Sequence, residues 1–191
     1  MSFNTGGVSP EFVQQMANNY QNGTVPEQGY DPQQSQQFLQ QVPPEQFQQY
    51  ATQAIQQVPP QEYSNHITPG VGGTNPLGGL GGGLLGQLAG GLLNSLTGGQ
   101  GNTQQAANQI GLRTSDPNQM NEGDVAQMGR YAQQNNPGAL GSTAAQYQNK
   151  PDVLQAVLGN RALTVALGGL AAAAMSGKIP GVTPRFGPAA H

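Results

Sequence analysis

In the first 66 residues, apolar side chains recur at three- and four-residue spacing, and proline interrupts the pattern at intervals. This spacing predicts short amphipathic α-helices. Ser9 and Asp31 each precede a proline, which predicts an N-cap residue followed by proline at the first helical position. Helices of about three turns are marginal alone in water, so we expect these to pack on other helices or on a partner. The clearest of them, within residues 44–58, has glutamines on its polar side and a predicted helix-packing face consisting of Phe47, Tyr50, Ile55 and Val58.

Residues 67–112 contain no charged side chain and are dominated by glycine and leucine. Each glycine inside a helix costs about 1 kcal/mol relative to alanine, so an isolated helix here would melt. A helix becomes stable where lipid, or another helix packed closely on the glycines, covers the segment. The sequence therefore predicts an association seam, which we call the glycine–leucine seam: Gly78, Gly82, Gly86, Gly90, Leu77, Leu80, Leu84, Leu85, Leu88, Leu92, Leu93 and Leu96.

The stretch 75–99 resembles the glycine-zipper motif of membrane-associated and pore-forming bacterial proteins. The resemblance is one of composition and implies no functional residue. Pro76 to Leu96 is 21 residues long, just enough to cross a bilayer, but its flanks lack basic and aromatic anchors. Three interpretations of this segment remain open: a buried or interfacial helix in an assembly, a membrane span, and a flexible linker.

The C-terminal part of the chain has the pattern of a small helical bundle. Asn121 is a predicted N-cap with acidic residues in the turn that follows it, and a second helix is expected after the proline at 137. A third is expected from Pro151 to Gly159, and a separate fourth begins at Asn160. The segment Ala162 to Met175 is apolar nearly all round, which is typical of a central helix in a bundle or of a membrane helix. It is shorter than a bilayer span, so the bundle is preferred.

These patterns together predict an all-α protein of short, proline-punctuated amphipathic helices with substantial irregular segments. We expect a glutamine-rich helical region over residues 1–66 and the glycine- and leucine-rich segment over 67–112. A helical bundle over 113–179 and an extended tail over 180–191 complete the predicted organisation.

Composition and charge favour association. Charged residues make up 8% of the chain, against about 25% in ordinary soluble domains, while glutamine and asparagine number 29 and 15. Low charge removes the repulsion that keeps proteins monomeric. All six cations lie at or after Arg113 without forming a basic cluster, so nucleic acid is not expected as a partner.

Residue types that carry catalysis are scarce. Without cysteine there is no disulfide, thiol nucleophile or thiolate metal site. His66 is predicted in a surface loop and His191 ends the chain, and neither has a partner at ligand spacing. The glycine run Gly79–Gly86 lacks the preceding strand and following acid of a dinucleotide fingerprint. We therefore expect no enzymatic activity, no cofactor, no metal and no small-molecule substrate.

The N-terminal sequence has neither the basic nor the apolar region of a secretory signal, so a cytoplasmic or membrane-associated location is expected. The leading functional hypothesis is a structural protein that associates with itself or with a larger complex, such as a filament, shell or lattice, through the glycine–leucine seam. One alternative is a membrane-associated accessory subunit or a minor component of a membrane-containing virion. The other is a soluble adaptor of two helical modules joined by a glycine-rich linker.

Overall fold

The computed structural model describes residues 8–24, 26, 30–67, 82–99 and 102–177. Within them the regular structure is entirely helical, so the predicted all-α class is confirmed. The helices are α1 (Pro10–Gln21), α2 (Pro32–Gln41), α3 (Pro44–Gln57), α4 (Pro60–Ile67), α5 (Gly82–Thr97), α6 (Thr103–Ile110), a 3₁₀ helix (Pro117–Gln119), α7 (Glu122–Asn135), α8 (Pro137–Gln146) and α9 (Pro151–Met175).

Helix starts follow the local sequence. Each of α1, α2, α3, α4, α8 and α9 begins at a proline, whose fixed φ and missing N–H suit the first helical position. The Asp31 carboxylate accepts hydrogen bonds from two backbone amides at the start of α2, at 2.9 and 3.0 Å. The Ser9 hydroxyl accepts one from Phe12 at 3.2 Å. At α7, Asn121 and Asp124 form a reciprocal capping box. The N-caps predicted at Ser9, Asp31 and Asn121 are confirmed.

Helix α9 lies at the centre of the fold and packs against α1, α2, α3, α4 and α8. Leu167, Leu170 and Ala171 are at most 2% exposed, which confirms the prediction of a central apolar helix. Two adjacent glycines allow close packing here. A Cβ atom on Gly168 would lie 2.8 Å from Cβ of Tyr20 on α1, and one on Gly169 would lie 2.8 Å from the ring of Tyr50 on α3.

Helix α5 lies in the same hydrophobic cluster, in contact with α6, α7, α8 and the 3₁₀ helix. The N-terminal helix α3 packs on both α8 and α9. Among the described residues, helices from the predicted N-terminal, middle and C-terminal regions therefore contribute to one hydrophobic core. The tail over 180–191 lies outside the described residues.

The course of α9 is broken at Gly159. This residue has φ 76° and ψ 161°, a backbone conformation that is essentially restricted to glycine. The two halves, Pro151–Gly159 and Arg161–Met175, meet at an angle of 108°. In the described part of the chain, no single helix is both long enough and apolar enough to cross a membrane. The two halves of α9 meet both criteria only when they are counted together, across the 108° bend.

Candidate functional site

The break in α9 interrupts the backbone hydrogen bonding of a buried helix. The last four carbonyl groups before a helix end lack an N–H partner four residues further on. Here those carbonyls belong to residues 155–158, of which Ala156, Val157 and Leu158 are buried and Gln155 is exposed. A buried carbonyl without a partner costs about 1–3 kcal/mol, so the break needs partners from elsewhere in the chain.

Helix α4 supplies those partners. The hydroxyl of Tyr63 donates to the carbonyl oxygen of Val157 at 2.7 Å, and Tyr63 is 1% exposed. Nε2 of His66 lies 2.9 Å from the carbonyl oxygen of Gln155. A carbonyl only accepts, so Nε2 carries the proton and donates it. Two side chains of α4 thus cap the first half of α9 across the break.

The His66 ring also lies against the break itself. A Cβ atom on Gly159 would lie 3.0–3.2 Å from three atoms of the imidazole. Such distances are shorter than an ordinary van der Waals contact between carbon atoms. Glycine at this position therefore serves two purposes, since it adopts the required backbone conformation and leaves room for the ring.

One ion pair closes the outer edge of this arrangement. Nη1 of Arg161, the first residue of the second half of α9, lies 2.7 Å from Oε2 of Glu62. The two side chains are 53% and 44% exposed. Because water and salt screen such a pair, it contributes little to stability and mainly orients the two side chains.

A cleft of about 510 Å³ opens beside these contacts. Its wall combines apolar side chains of α9 and of Val58, which follows the last residue of α3, with the polar groups of α4. The residues that line it include Gly23, Val58, Glu62, Tyr63, His66, Leu158, Gly159 and Arg161. The volume lies within the range of small-molecule binding sites.

The prediction that His66 lies in a surface loop is wrong. The residue lies on α4 and is half-buried, because α4 is held against the broken helix. Burial lowers the pKa of His66, while hydrogen bonds to the carbonyls of Gln155 and Ala156 raise it, and the lowering prevails. The imidazole is therefore neutral at pH 7. Burial likewise raises the pKa of the Tyr63 hydroxyl.

The polar groups of the cleft are engaged within the chain. The Tyr63 hydroxyl and His66 Nε2 are bound to backbone carbonyls, and Glu62 is paired with Arg161. In the described ranges, no three histidine or acidic side chains lie close enough to hold a metal ion. The observed geometry stabilises a broken helix, and it places no base beside a free nucleophile.

The glycine–leucine seam is covered by the same chain. Leu85, Leu88, Leu92 and Leu93 are at most 9% exposed, and Leu84 and Leu96 are half-buried against the same core. Leu77, Gly78 and Leu80 lie outside the described residues. Gly82 is the first residue of α5.

The glycines of the seam face the 3₁₀ helix rather than another α-helix. A Cβ atom on Gly86 would lie 3.3 Å from Oδ1 of Asn118, and one on Gly90 would lie 3.7 Å from Cβ of Pro117. The described part of the seam is therefore closely covered, as predicted. The surface that covers these glycines is the 3₁₀ helix of the same chain.

The predicted helix-packing face of α3 is also directed into the core. Phe47 and Ile55 are fully buried, Val58 is 5% exposed, and Tyr50 is half-buried against the cluster. Their partners are α8 and α9.

Sequence reasoning did not single out Glu62, Tyr63 or Arg161. The predicted end of one helix at Gly159 and start of the next at Asn160 is confirmed by the break in α9. The signal not used was the four-residue spacing of Glu62 and His66, which places them on one side of a helix. Compared with protein-family models, with curated proteins and with solved structures, the chain matches none of them.

Proposed function

We propose that this protein is a non-enzymatic structural protein that associates with copies of itself or with a larger assembly, and that its glutamine-bearing outer surface makes the contacts. The observation that carries the proposal is the character of that surface. Exposed glutamines cover the outward sides of α2, α3 and α4: Gln33, Gln37, Gln40, Gln41, Gln49, Gln53, Gln56, Gln57 and Gln61.

Charge is nearly absent from these helices. Helix α2 carries no charged residue, and α3 and α4 carry one carboxylate each, Glu45 and Glu62. Carboxamide groups both donate and accept hydrogen bonds, and pairing them across an interface avoids the desolvation cost of burying charges. A net charge of −3 over 191 residues adds little repulsion between copies.

The sequence predicts association through the glycine–leucine seam, whereas this proposal assigns the contacts to the outer glutamines. Leu85, Leu88, Leu92 and Leu93 of the seam are buried within the chain, so these four leucines are not available to a second surface without unfolding of α5. The polar outer faces remain accessible. Because the helices of one copy bury their apolar faces against each other, contacts between copies in a lattice or filament would be made by amide hydrogen bonds between these polar faces.

The engagement of the polar groups at the break in α9 supports the non-enzymatic part of the proposal. Tyr63 and His66 serve as caps for backbone carbonyls. Moving the Tyr63 hydroxyl to act on a substrate would leave the buried Val157 carbonyl without a partner.

Sedimentation velocity of the full chain over a wide range of protein concentration tests the proposal. The triple variant Gln49→Lys, Gln53→Lys and Gln56→Lys places three cations on one exposed side of α3, where the spacing of the residues brings them together. We expect the unmodified chain to form larger species as its concentration rises and the α3 variant to remain monomeric.

The matched control places the same three charges on α6 by Gln104→Lys, Gln105→Lys and Gln109→Lys, at positions that are also exposed. This variant should associate like the unmodified chain. If the unmodified chain stays monomeric throughout, or if both variants dissociate equally, then the outer surface of α3 is not the contact and the proposal fails.

A further inference from the structure

Helix α1 is followed by an asparagine–glycine pair, Asn22 and Gly23. Of the fifteen asparagines in the sequence, the other fourteen are each followed by a residue that carries a side chain. Asn22, Gly23 and Thr24 are exposed, and a Cβ atom on Gly23 would have nothing within 4 Å. Water and hydroxide therefore have access to this pair.

An asparagine followed by glycine can lose its side-chain amide without an enzyme. Because glycine has no Cβ, its backbone nitrogen approaches Cγ of the asparagine without hindrance. The Gly23 nitrogen forms a bond to Cγ of Asn22, and Nδ2 leaves as ammonia together with the Gly23 amide proton. Water then opens the five-membered imide at one of its two carbonyls, which gives isoaspartate or aspartate. Water is the only co-reactant, and each product carries a carboxylate that asparagine lacks.

The same pair forms the C-terminal cap of α1. Gly23 has φ 66°, and its backbone nitrogen donates to the carbonyl oxygen of Tyr20 at 3.2 Å. The backbone nitrogen of Thr24 donates to the carbonyl oxygen of Asn19 at 2.8 Å. These two bonds and the positive φ define a Schellman motif.

This cap holds the reacting nitrogen away from Cγ. Asn22 has ψ −1°, so the Gly23 nitrogen eclipses the backbone nitrogen of Asn22. Ring closure requires it to eclipse Cβ of Asn22 instead, and the rotation that achieves this breaks both hydrogen bonds of the cap. Two such bonds lower the population of the open form by a factor of about 5–30.

We propose that Asn22 is a site of spontaneous deamidation whose rate is set by opening of the Schellman motif at the end of α1. The product carries a carboxylate at the C-terminal end of a helix, where the helix dipole disfavours negative charge. Deamidation therefore weakens the cap that restrains it. Tyr20, in the last turn of α1, packs on Gly168 of α9, so the change lies close to the central helix.

Peptide mapping by mass spectrometry, applied to the full chain during incubation in mildly alkaline buffer, measures the reaction. Isoaspartate and aspartate should both appear at position 22. They should form about 5- to 30-fold more slowly than in the same chain unfolded in guanidinium chloride. Asn94 is the internal control, since it is exposed but followed by Ser95, and it should remain intact over the same period.

Variants separate the chemistry from the cap. Gly23→Ala should suppress the reaction in the folded and the unfolded chain, because a methyl group hinders the attacking nitrogen. Gly177→Ala is the matched control, since Gly177 also has positive φ, at 70°, and nothing within 4 Å of an added Cβ atom. This variant should react like the parent. Thr24→Pro removes the donor to the Asn19 carbonyl and should bring the folded rate closer to the unfolded rate of the same variant.

The proposal is overturned if Asn22 of the folded chain stays intact, or if the folded chain reacts as fast as the unfolded one. Aspartate without isoaspartate at position 22 would also overturn it, because opening of the imide gives both. Equal rates for Gly23→Ala and Gly177→Ala would exclude Gly23 as the nucleophile. This site lies outside the proposed association surface, so failure of either proposal leaves the other standing.

Discussion

The hydroxyl of Tyr63 donates a hydrogen bond of 2.7 Å to the carbonyl oxygen of Val157, 94 residues further along the chain. The bond joins the short helix α4 to the break in α9, where the carbonyl has no backbone N–H within helical reach. Both groups are buried, so water does not replace either partner. This bond makes the stability of the central helix depend on a residue from the N-terminal third of the sequence.

Replacing Tyr63 with phenylalanine should lower the free energy of unfolding by about 1–3 kcal/mol, because it leaves the buried Val157 carbonyl without a donor. Urea denaturation measures the change. Tyr147→Phe is the control, since its hydroxyl makes a similar bond of 2.8 Å to the Gln87 carbonyl in an exposed position. There water takes over the carbonyl and the loss should be distinctly smaller. Equal losses would contradict the capping role of Tyr63.

Alanine at Gly159 should destabilise the protein by about 1–3 kcal/mol from backbone strain alone, with an additional loss from contact with the His66 ring. Gly23→Ala is the comparison, because Gly23 also has positive φ, at 66°, but nothing lies within 4 Å of the added Cβ atom. Thermal or urea unfolding should show the larger loss at Gly159. A Gly159→Ala protein as stable as the parent would show that the break is not required.

The stability of the protein should decrease in mildly acidic solution because of His66. Its pKa in the folded protein is lowered by burial, while in the unfolded chain it has the ordinary value of about 6.5. The unfolded state therefore binds more protons below that value. The free energy of unfolding should be constant with respect to this group above about pH 7 and fall as the pH drops through 6.5 toward the folded-state pKa.

The difference between the parent and His66→Gln isolates this contribution, since both proteins contain His191 and glutamine retains an amide donor for the Gln155 carbonyl. Urea denaturation across the pH range should show a steeper loss on acidification in the parent. Parallel curves for the two proteins would contradict the buried, neutral state of His66.

Leu93→Ala should lower the stability of each copy by about 2–5 kcal/mol, the usual cost of a cavity at a fully buried leucine, without changing the state of association. Leu93 is 1% exposed within the chain. Leu96→Ala is the control, because that residue is only half-buried and should cost less. A Leu93→Ala protein that remains folded but loses its association would instead identify α5 as a contact between copies.

Features that depend on neighbouring residues were predictable from the sequence. The N-cap at Asn121, the acidic first turn after it, and the proline starts of α2 and α9 follow from local chemistry. The uniformly apolar composition of 162–175 correctly indicated a central helix. Helices α4 and α6 were not predicted individually, because each is only eight residues long, about two turns, too short for a periodic pattern to repeat.

The glycines illustrate what the sequence did not resolve. Spacing of four residues at Gly86 and Gly90 predicted close packing of another helix, and a 3₁₀ helix lies there instead. Closer approaches occur at Gly141, where an added Cβ atom would lie 2.8 Å from the Gln48 carbonyl oxygen, and at Gly168 against α1. Neither of these two glycines belongs to a conspicuous repeat.

The sequence by itself determined that the protein is all-helical, where several of its helices begin, and that the leucines of α5 must be buried. Only the tertiary structure decided what buries them, which side chains cap the break in α9, and that His66 is half-buried rather than in a loop. The physical reason is that burial of apolar surface is non-directional. An apolar stripe requires a covering surface without specifying which one, whereas hydrogen bonds between distant residues depend on the path of the whole chain.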